Sequence, residues 1–427
     1  MKQGLLALCL AGLVACSNFL EPVESTGTPS EYEYNYWLLQ RTYLYDEELP
    51  GLPEKGDSVQ VLYNYLKDPY TRYYPPSKSE AATTQINTSF VPGDVGMEYF
   101  TVPDRTYPLF VYRVYPNGPA DRAGIKRYSN IRKINGHDLA EANASSIYKS
   151  VLDTSATIEL EVVHDSTQEN FTLKKEDIYA PTIFIDTLYG TIFITITEFK
   201  LNTADRENGT YGELKAYLDS TQNETAPRVI DIRGNPGGHV NQCVPMADLF
   251  VPEGALSTRS WKIFDGDGER VSREQSTFAT KGDPGEKGKF IILANHNSAS
   301  CAEIFAAAVT ELVDIPVVGT TTFGKGIGQT NWKTMNGGLA VITNLEFLTP
   351  KGNSYHKKGI VPKYDCGMLA TDSCALDALE KHFGAKSSTK NKSILQARPS
   401  QTFSRKPDFG GAMIYSETPP FFEKGEN

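Results

Sequence analysis

The sequence has no surplus of positive charge. Its 42 Lys and Arg residues stand against 52 Asp and Glu, which argues against nucleic acid or an anionic bilayer as the main ligand of the folded body. It has no Cys and His residues at zinc-ligand spacing, so no metal or other cofactor is expected. The apolar run from Leu5 to Ala15 is too short to cross a bilayer. No large part of the chain has the composition of a disordered segment. What remains is a chain of 427 residues, long enough for two or three domains and a large core.

The first residues point to a compartment. Lys2 followed by the short apolar run reads as a signal peptide, and Leu13-Val14-Ala15-Cys16 resembles the bacterial lipobox. That resemblance implies cleavage before Cys16 and acylation of its new terminus, each buried methylene contributing about 0.8 kcal/mol of membrane affinity. An ordinary secretory peptide cut nearby is the alternative. Residues 17–30, rich in Ser, Thr, Pro and Gly, read as a tether. The expected location is the bacterial cell envelope, lipid-anchored at the outer membrane and facing the periplasm. Of six cysteines, Cys366 and Cys374 bracket a short loop and could bridge in an oxidising compartment. Cys243 and Cys301 read as small buried apolar residues.

Beyond the tether the pattern changes repeatedly. Residues 31–84 carry apolar and aromatic positions at helical spacing, Tyr36, Leu39 and Tyr43 among them. Asp68-Pro-Tyr-Thr-Arg-Tyr-Tyr-Pro75 ends that run with prolines. Residues 85–168 show short alternating strands, among them Leu109 to Tyr115, Asn130 to Ile134 with an Asn135-Gly136 turn, and Ala156 to Val163. With Gly118-Pro-Ala-Asp-Arg-Ala-Gly-Ile125, this stretch resembles a PDZ domain. Val95-Gly96-Met97-Glu98 then falls where that family binds a peptide's terminal carboxylate on backbone amides. Arg127-Tyr-Ser129 replaces the family's usual Pro-Gly-Asp turn, and a spacer without ligand stays open. Residues 169–384 alternate strand and helix, which predicts an α/β domain with a covered sheet and ligands at the carboxyl ends of its strands. The tail, 385–427, is basic and Ser-rich at first, then aromatic, without periodicity.

The Gly234-Asn-Pro-Gly-Gly238 loop and the serine lie at such strand ends, and the serine and lysine segments carry chemistry. Ser300-Cys-Ala-Glu303 is a Ser-x-x-Glu capping box, and read alone it caps the following helix. A serine there also has free amides and the positive dipole end beside it, where an oxyanion would be stabilised. Gly319-Thr-Thr-Thr-Phe-Gly-Lys-Gly326 matches half of a P-loop. Gly326 stands where a magnesium-binding Ser or Thr is needed, and no helical pattern follows, so nucleotide binding is rejected.

These blocks together resemble the carboxyl-terminal processing peptidases of family S41, over residues 68–362. Ser298-Ala-Ser-Cys-Ala-Glu-Ile-Phe305 is similar to the family's serine signature, and Phe323-Gly-Lys-Gly-Ile-Gly-Gln329 to its lysine motif. Asp231-Ile-Arg-Gly-Asn-Pro-Gly-Gly238, Met246 to Phe250, Thr349 to Gly352 and Gly359 to Pro362 match further blocks. The resemblance implies a crotonase/ClpP-like catalytic domain, a Ser300–Lys325 dyad oriented by Gln329, and an oxyanion hole from the amides of Cys301 and Gly237 or Gly238. An ordinary lysine, with a pKa of about 10.4, is almost never neutral at pH 7. Bringing it to roughly 7 to 8 by burial costs about 4 kcal/mol. His239 and His296 flank the loops but are not needed as bases. The implied function is a serine endopeptidase acting on extracytoplasmic proteins, with the PDZ domain capturing their C-termini. A catalytically silent peptide- or lipid-binding lipoprotein on the same fold is the alternative.

Overall fold

A computed structural model describes residues 29–49, 51, 58–102, 105–140 and 143–384. Cys16 and the tail 385–427 lie outside them. The chain opens with α1 (Glu31–Thr42), α2 (Val59–Asn64), the short β1 (Arg72–Tyr74) and α3 (Pro76–Asn87). Ser30 caps α1 through a reciprocal pair with Glu33, which satisfies amides that the first turn leaves open. Tyr34, Leu38, Leu39 and Tyr43 of this segment pack on Leu62, Tyr73, Ala340 and Ile342. The helices therefore share their core with a strand that lies far along the chain.

A β-rich unit follows, with β2 (Phe90–Asp94), β3 (Met97–Thr101), β4 (Leu109–Val114), α4 (Pro119–Ala123), β5 (Asn130–Ile134), β6 (His137–Asp138), α5 (Ala144–Thr154), β7 (Thr157–His164), β8 (Thr167–Lys174) and β9 (Glu176–Tyr179). Strands β3, β4, β5, β7 and β8 form one antiparallel sheet in that order, wrapped around Val111, Ile131, Tyr148, Ile158 and Leu160. The boundary expected at 168 cuts through β8, which pairs with β7 from Thr157↔Lys174 to His164↔Thr167. The unit closes instead where β9 pairs with β2.

The remaining chain forms β10 (Ile183–Leu188), β11 (Thr191–Ile196), α6 (Gly209–Ser220), β12 (Arg228–Asp231), α7 (Val240–Asp248), β13 (Ala255–Phe264), β14 (Arg270–Phe278), β15 (Phe290–Ala294), α8 (Cys301–Leu312), β16 (Val317–Gly319), β17 (Ile327–Lys333), β18 (Leu339–Leu348), β19 (Tyr364–Asp365) and α9 (Asp372–Phe383). The sheet β10-β11-β12-β15-β16-β19 is parallel from β11 onward. Every residue of β12 and β15 is buried, as expected of a parallel sheet covered on both faces. The two-residue period sorts the side chains. Ile230, Ile292 and Ala294 join Leu214, Cys243, Ala247 and Phe305 on one face; Val229, Ile291 and Leu293 join Ala375, Leu376 and Leu379 on the other. A second sheet, β1-β18-β13-β14 with β17 on β18, carries the N-terminal strand.

Candidate active site

Three successive parallel strands end in the three loops singled out in the sequence: β12 runs into Gly234–Gly238, β15 into Asn295–Ser300, and β16 into Thr320–Gly326. Polar side chains stitch the first two together. Ser298 donates its hydroxyl to the Ile232 carbonyl at 2.8 Å and accepts from the Asn295 amide at 3.0 Å. Asn295 in turn accepts the Gly234 N–H at 3.0 Å, and the Ala299 N–H reaches the Asn235 carbonyl at 2.9 Å. Below them Arg233 is gripped by Asp231 and Asp372, at 2.6 and 2.7 Å.

Ser300 stands at the head of α8 with φ 55° and ψ −118°, a backbone region that non-glycine residues occupy at a cost of order 1–3 kcal/mol. Of the capping box expected with Glu303, only the half made by the Glu303 side chain is formed, and no side-chain hydrogen bond from Ser300 caps the helix. The Glu303 carboxylate accepts the Ser300 N–H at 2.9 Å, while the Glu303 N–H goes to the Ser300 carbonyl at 2.8 Å. Ser300 Oγ itself is buried and has no hydrogen-bond partner among the described residues. The hydroxyl is thus not consumed by helix capping. Gly237 presses on this turn: a Cβ there would lie 2.7 Å from Ser300 Cβ and 2.9 Å from the Cys301 nitrogen. Its own N–H is taken by Asn235 Oδ1 at 2.8 Å. Gly237 and Gly238, at φ 100° and 144°, are conformations that favour glycine.

Lys325 is buried, only 1% exposed. No helix follows it; the chain enters β17, so the structure has no P-loop arrangement here. Its Nζ donates to Gln329 Oε1 at 3.0 Å and lies 4.4 Å from the ring centre of Tyr70. The lysine loop is held by the residue that holds the serine: Glu303 also accepts the N–H groups of Lys325 and Gly324, at 2.7 and 2.6 Å, and the Thr322 hydroxyl at 2.5 Å. Burial pushes the Glu303 carboxyl above its ordinary range, while these donors pull it back.

The structure corrects one reading of the sequence. Cys243 and Cys301 are buried, as a small apolar pair would be, but they are joined as a disulfide with Cα atoms 5.7 Å apart. It fastens α7 to the residue after Ser300. Cys366 and Cys374 are also bridged. Neither histidine is hydrogen-bonded to Ser300 Oγ. His239 is buried, its Nε2 3.3 Å from the Ile86 carbonyl, and burial, with Lys200 adding to it, lowers its pKa to about 3. His296 is exposed and packs near the Phe323 ring.

Val95, Gly96, Met97 and Glu98 lie at the turn into β3, on a different sheet from the serine and lysine loops. The Gly96 N–H is accepted by Asp94 Oδ1 at 2.6 Å, and Glu98 is bound by Arg113 at 3.1 Å and the Tyr115 hydroxyl at 2.8 Å. Sequence reasoning missed Glu303 as the link between the two loops, although its capping box was visible, and Tyr70 and Thr71, which looked like the stop of a helix. Among the described residues no group of His, Cys, Asp and Glu could hold a metal ion, and no helix is long and apolar enough to cross a membrane.

Residues 190–366 match the model of peptidase family S41. A CtpA-like serine protease from Staphylococcus haemolyticus is 26% identical over 360 residues, which cover 84% of this chain and 68% of that protein. Another, from Staphylococcus aureus strain RF122, is 30% identical over 335 residues, 78% of this chain and 64% of the relative. A solved structure of an S41-type protein from Bacteroides fragilis superposes with a TM-score of 0.55 at 15% identity, over 85% of this chain and 96% of that one; at that identity the likeness speaks for the fold alone.

Proposed function

Since this chain carries a peptidase family S41 domain at residues 190–366, we propose that it is a serine endopeptidase working through a Ser300–Lys325 dyad on a crotonase/ClpP-like catalytic domain. The observation that carries this reading is the single carboxylate, Glu303, that binds the backbones of both residues; Ser300 Oγ has no hydrogen-bond partner, Lys325 Nζ included. Burial disfavours the charged form of an amine, and Gln329 presents a carbonyl oxygen to Lys325 Nζ. In the proposed reaction neutral Lys325 takes the hydroxyl proton as Ser300 Oγ attacks the peptide carbonyl. The amine leaves with that proton, and water then hydrolyses the acyl-enzyme. The oxyanion is assigned to the Cys301 N–H and the Gly238 N–H; the Gly237 N–H, an equal candidate in the sequence, is already bonded to Asn235.

We read the β-rich unit as a PDZ domain that brings in substrates by their C-termini through Val95–Glu98, and Cys16 as the lipidation site that holds the enzyme at the outer membrane facing the periplasm. The substrates are then proteins or peptides outside the cytoplasm. Digestion of casein by wild type, Ser300→Ala and Lys325→Ala up to about pH 9.5 tests the dyad: cleavage should rise with pH in the wild type and vanish in both variants. Equal cleavage by Ser300→Ala would overturn the assignment. Binding without cleavage by the wild type would favour a silent peptide-binding lipoprotein.

A further inference from the structure

The sequence segment Asp68-Pro-Tyr-Thr71 reads only as the end of a helical run, yet the fold places it against the lysine. Strand β1, directly after it, pairs with β18 through Arg72↔Val341 and Tyr74↔Leu339. The Thr71 hydroxyl accepts the Thr343 N–H at 2.9 Å and donates to Asp68 Oδ2 at 2.5 Å. The other carboxylate oxygen accepts the Tyr70 N–H at 3.0 Å. One aspartate therefore fixes both the residue whose ring faces Lys325 Nζ at 4.4 Å and the residue that holds Thr343.

Thr343 matters because it holds the far end of the Gln329 amide. The Thr343 hydroxyl accepts from Gln329 Nε2 at 2.9 Å, while the amide oxygen is the end presented to Lys325 Nζ. A register shift in the β17–β18 ladder falls between Gly328 and Gln329, and it sets Gln329 opposite Thr343 rather than Asn344. Bulges of this kind re-aim a side chain. Asp68, Thr71, Gln329 and Thr343 are all buried, so water does not substitute readily for these bonds.

We propose that Asp68, Tyr70 and Thr71 are positioning residues for Lys325, by which the N-terminal segment completes the catalytic site. This rests on Lys325 being the base, as argued above. The Tyr70 ring has two opposed effects. Its face attracts an ammonium and favours the charged amine. Its bulk also keeps water from the amine, which favours the neutral form. Removing the ring withdraws both, so the titration of the proposed base should move. The Tyr70 hydroxyl plays no part in either effect.

The test uses the full chain, casein as substrate, and kcat/KM measured from about pH 6 to pH 10. Tyr70→Ala should displace the rising limb of the profile by about one pH unit, and Tyr70→Phe should leave it in place. Thr71→Val, nearly isosteric, should lower kcat about tenfold with little change in KM, and Thr71→Ser should restore it. If Tyr70→Ala does not fold, the Thr71 pair decides alone. A Tyr70→Ala profile superimposable on wild type, or Thr71→Val with wild-type kcat, would overturn the proposal while leaving the dyad intact. Cleavage that survives in Ser300→Ala would instead remove the dyad on which it rests.

Discussion

Ser300 and Lys325 donate their backbone N–H groups to the same oxygen, Oε2 of Glu303, at 2.9 and 2.7 Å. One carboxylate thus sets the separation of two loops that leave different strands. In Glu303→Gln the charge is lost, and an amide nitrogen must face at least one of the N–H donors. Hydrogen bonds to a buried charge contribute about 1.5–3 kcal/mol each, and loosening two loops at once should lower kcat by about two orders of magnitude. Steady-state kinetics beside thermal unfolding checks this; a variant with wild-type kcat would show that the loops are held by other means.

The disulfide between Cys243 and Cys301 closes a loop with a sequence separation of 58. Chain entropy predicts about 4 kcal/mol of stabilisation for a loop of that size. Cys243→Ala should lose most of it in urea unfolding. Because the Cys301 N–H is one of the two oxyanion donors proposed, kcat should fall about tenfold as well. Unchanged unfolding would mean that the two cysteines act as packing residues only.

His239 provides a pH signature. Its pKa is lowered to about 3 against an ordinary value near 6.5, so the unfolded chain binds the extra proton first. Its contribution is unaffected above about pH 6.5 and is lost as pH falls from there towards 3, at up to about 1.4 kcal/mol per pH unit. At pH 5 the protein should be less stable than at pH 7 by about 2 kcal/mol from this residue alone. His239→Gln should flatten that slope. Urea midpoints at the two pH values measure it, and an equally steep slope in the variant would assign the effect elsewhere.

Asp94 sits in the way of the proposed C-terminal capture. Its carboxylate holds the Gly96 N–H, and burial raises its pKa. Asp94→Gly, made in Ser300→Ala to prevent cleavage, should bind a peptide with a free C-terminal carboxylate about tenfold more tightly, with no gain for the amidated peptide. Fluorescence polarisation distinguishes these outcomes. Equal affinities for both peptides would remove the carboxylate from the recognition.

The serine and lysine loops are legible in sequence because each follows a buried apolar strand, Phe290–Ala294 or Val317–Gly319, which Asn and Ser interrupt in the first case and Gly324 and Gly326 in the second. The lysine's surroundings are not. Thr71 and Thr343 are 272 positions apart, and only the pairing of β1 with β18 brings them together. The same limit hides the bond between Cys243 and Cys301, whose burial reads as ordinary packing. Strand β8, across which the expected boundary falls, is not legible because it is an edge strand whose largely exposed sequence, Thr-Gln-Glu-Asn-Phe-Thr-Leu-Lys, has little apolar alternation. Strands β13 and β14 escape for a related reason: Ser, Thr, Arg and Lys interrupt their hydrophobic pattern, and much of the hairpin is only partly buried.

The contact between Thr71 and Thr343 also orders events in time. Tyr70 and β1 stand early in the chain, but β1 has no partner until β18 folds, and contacts of such long separation form slowly. Until then Thr343, which bonds the Gln329 amide, is not itself anchored by Thr71. On the proposed mechanism, a partly folded chain would contain its nucleophile without a firmly held base. Hydrolytic competence would come with that long-range closure of the sheet, which would spare the enzyme itself while it folds.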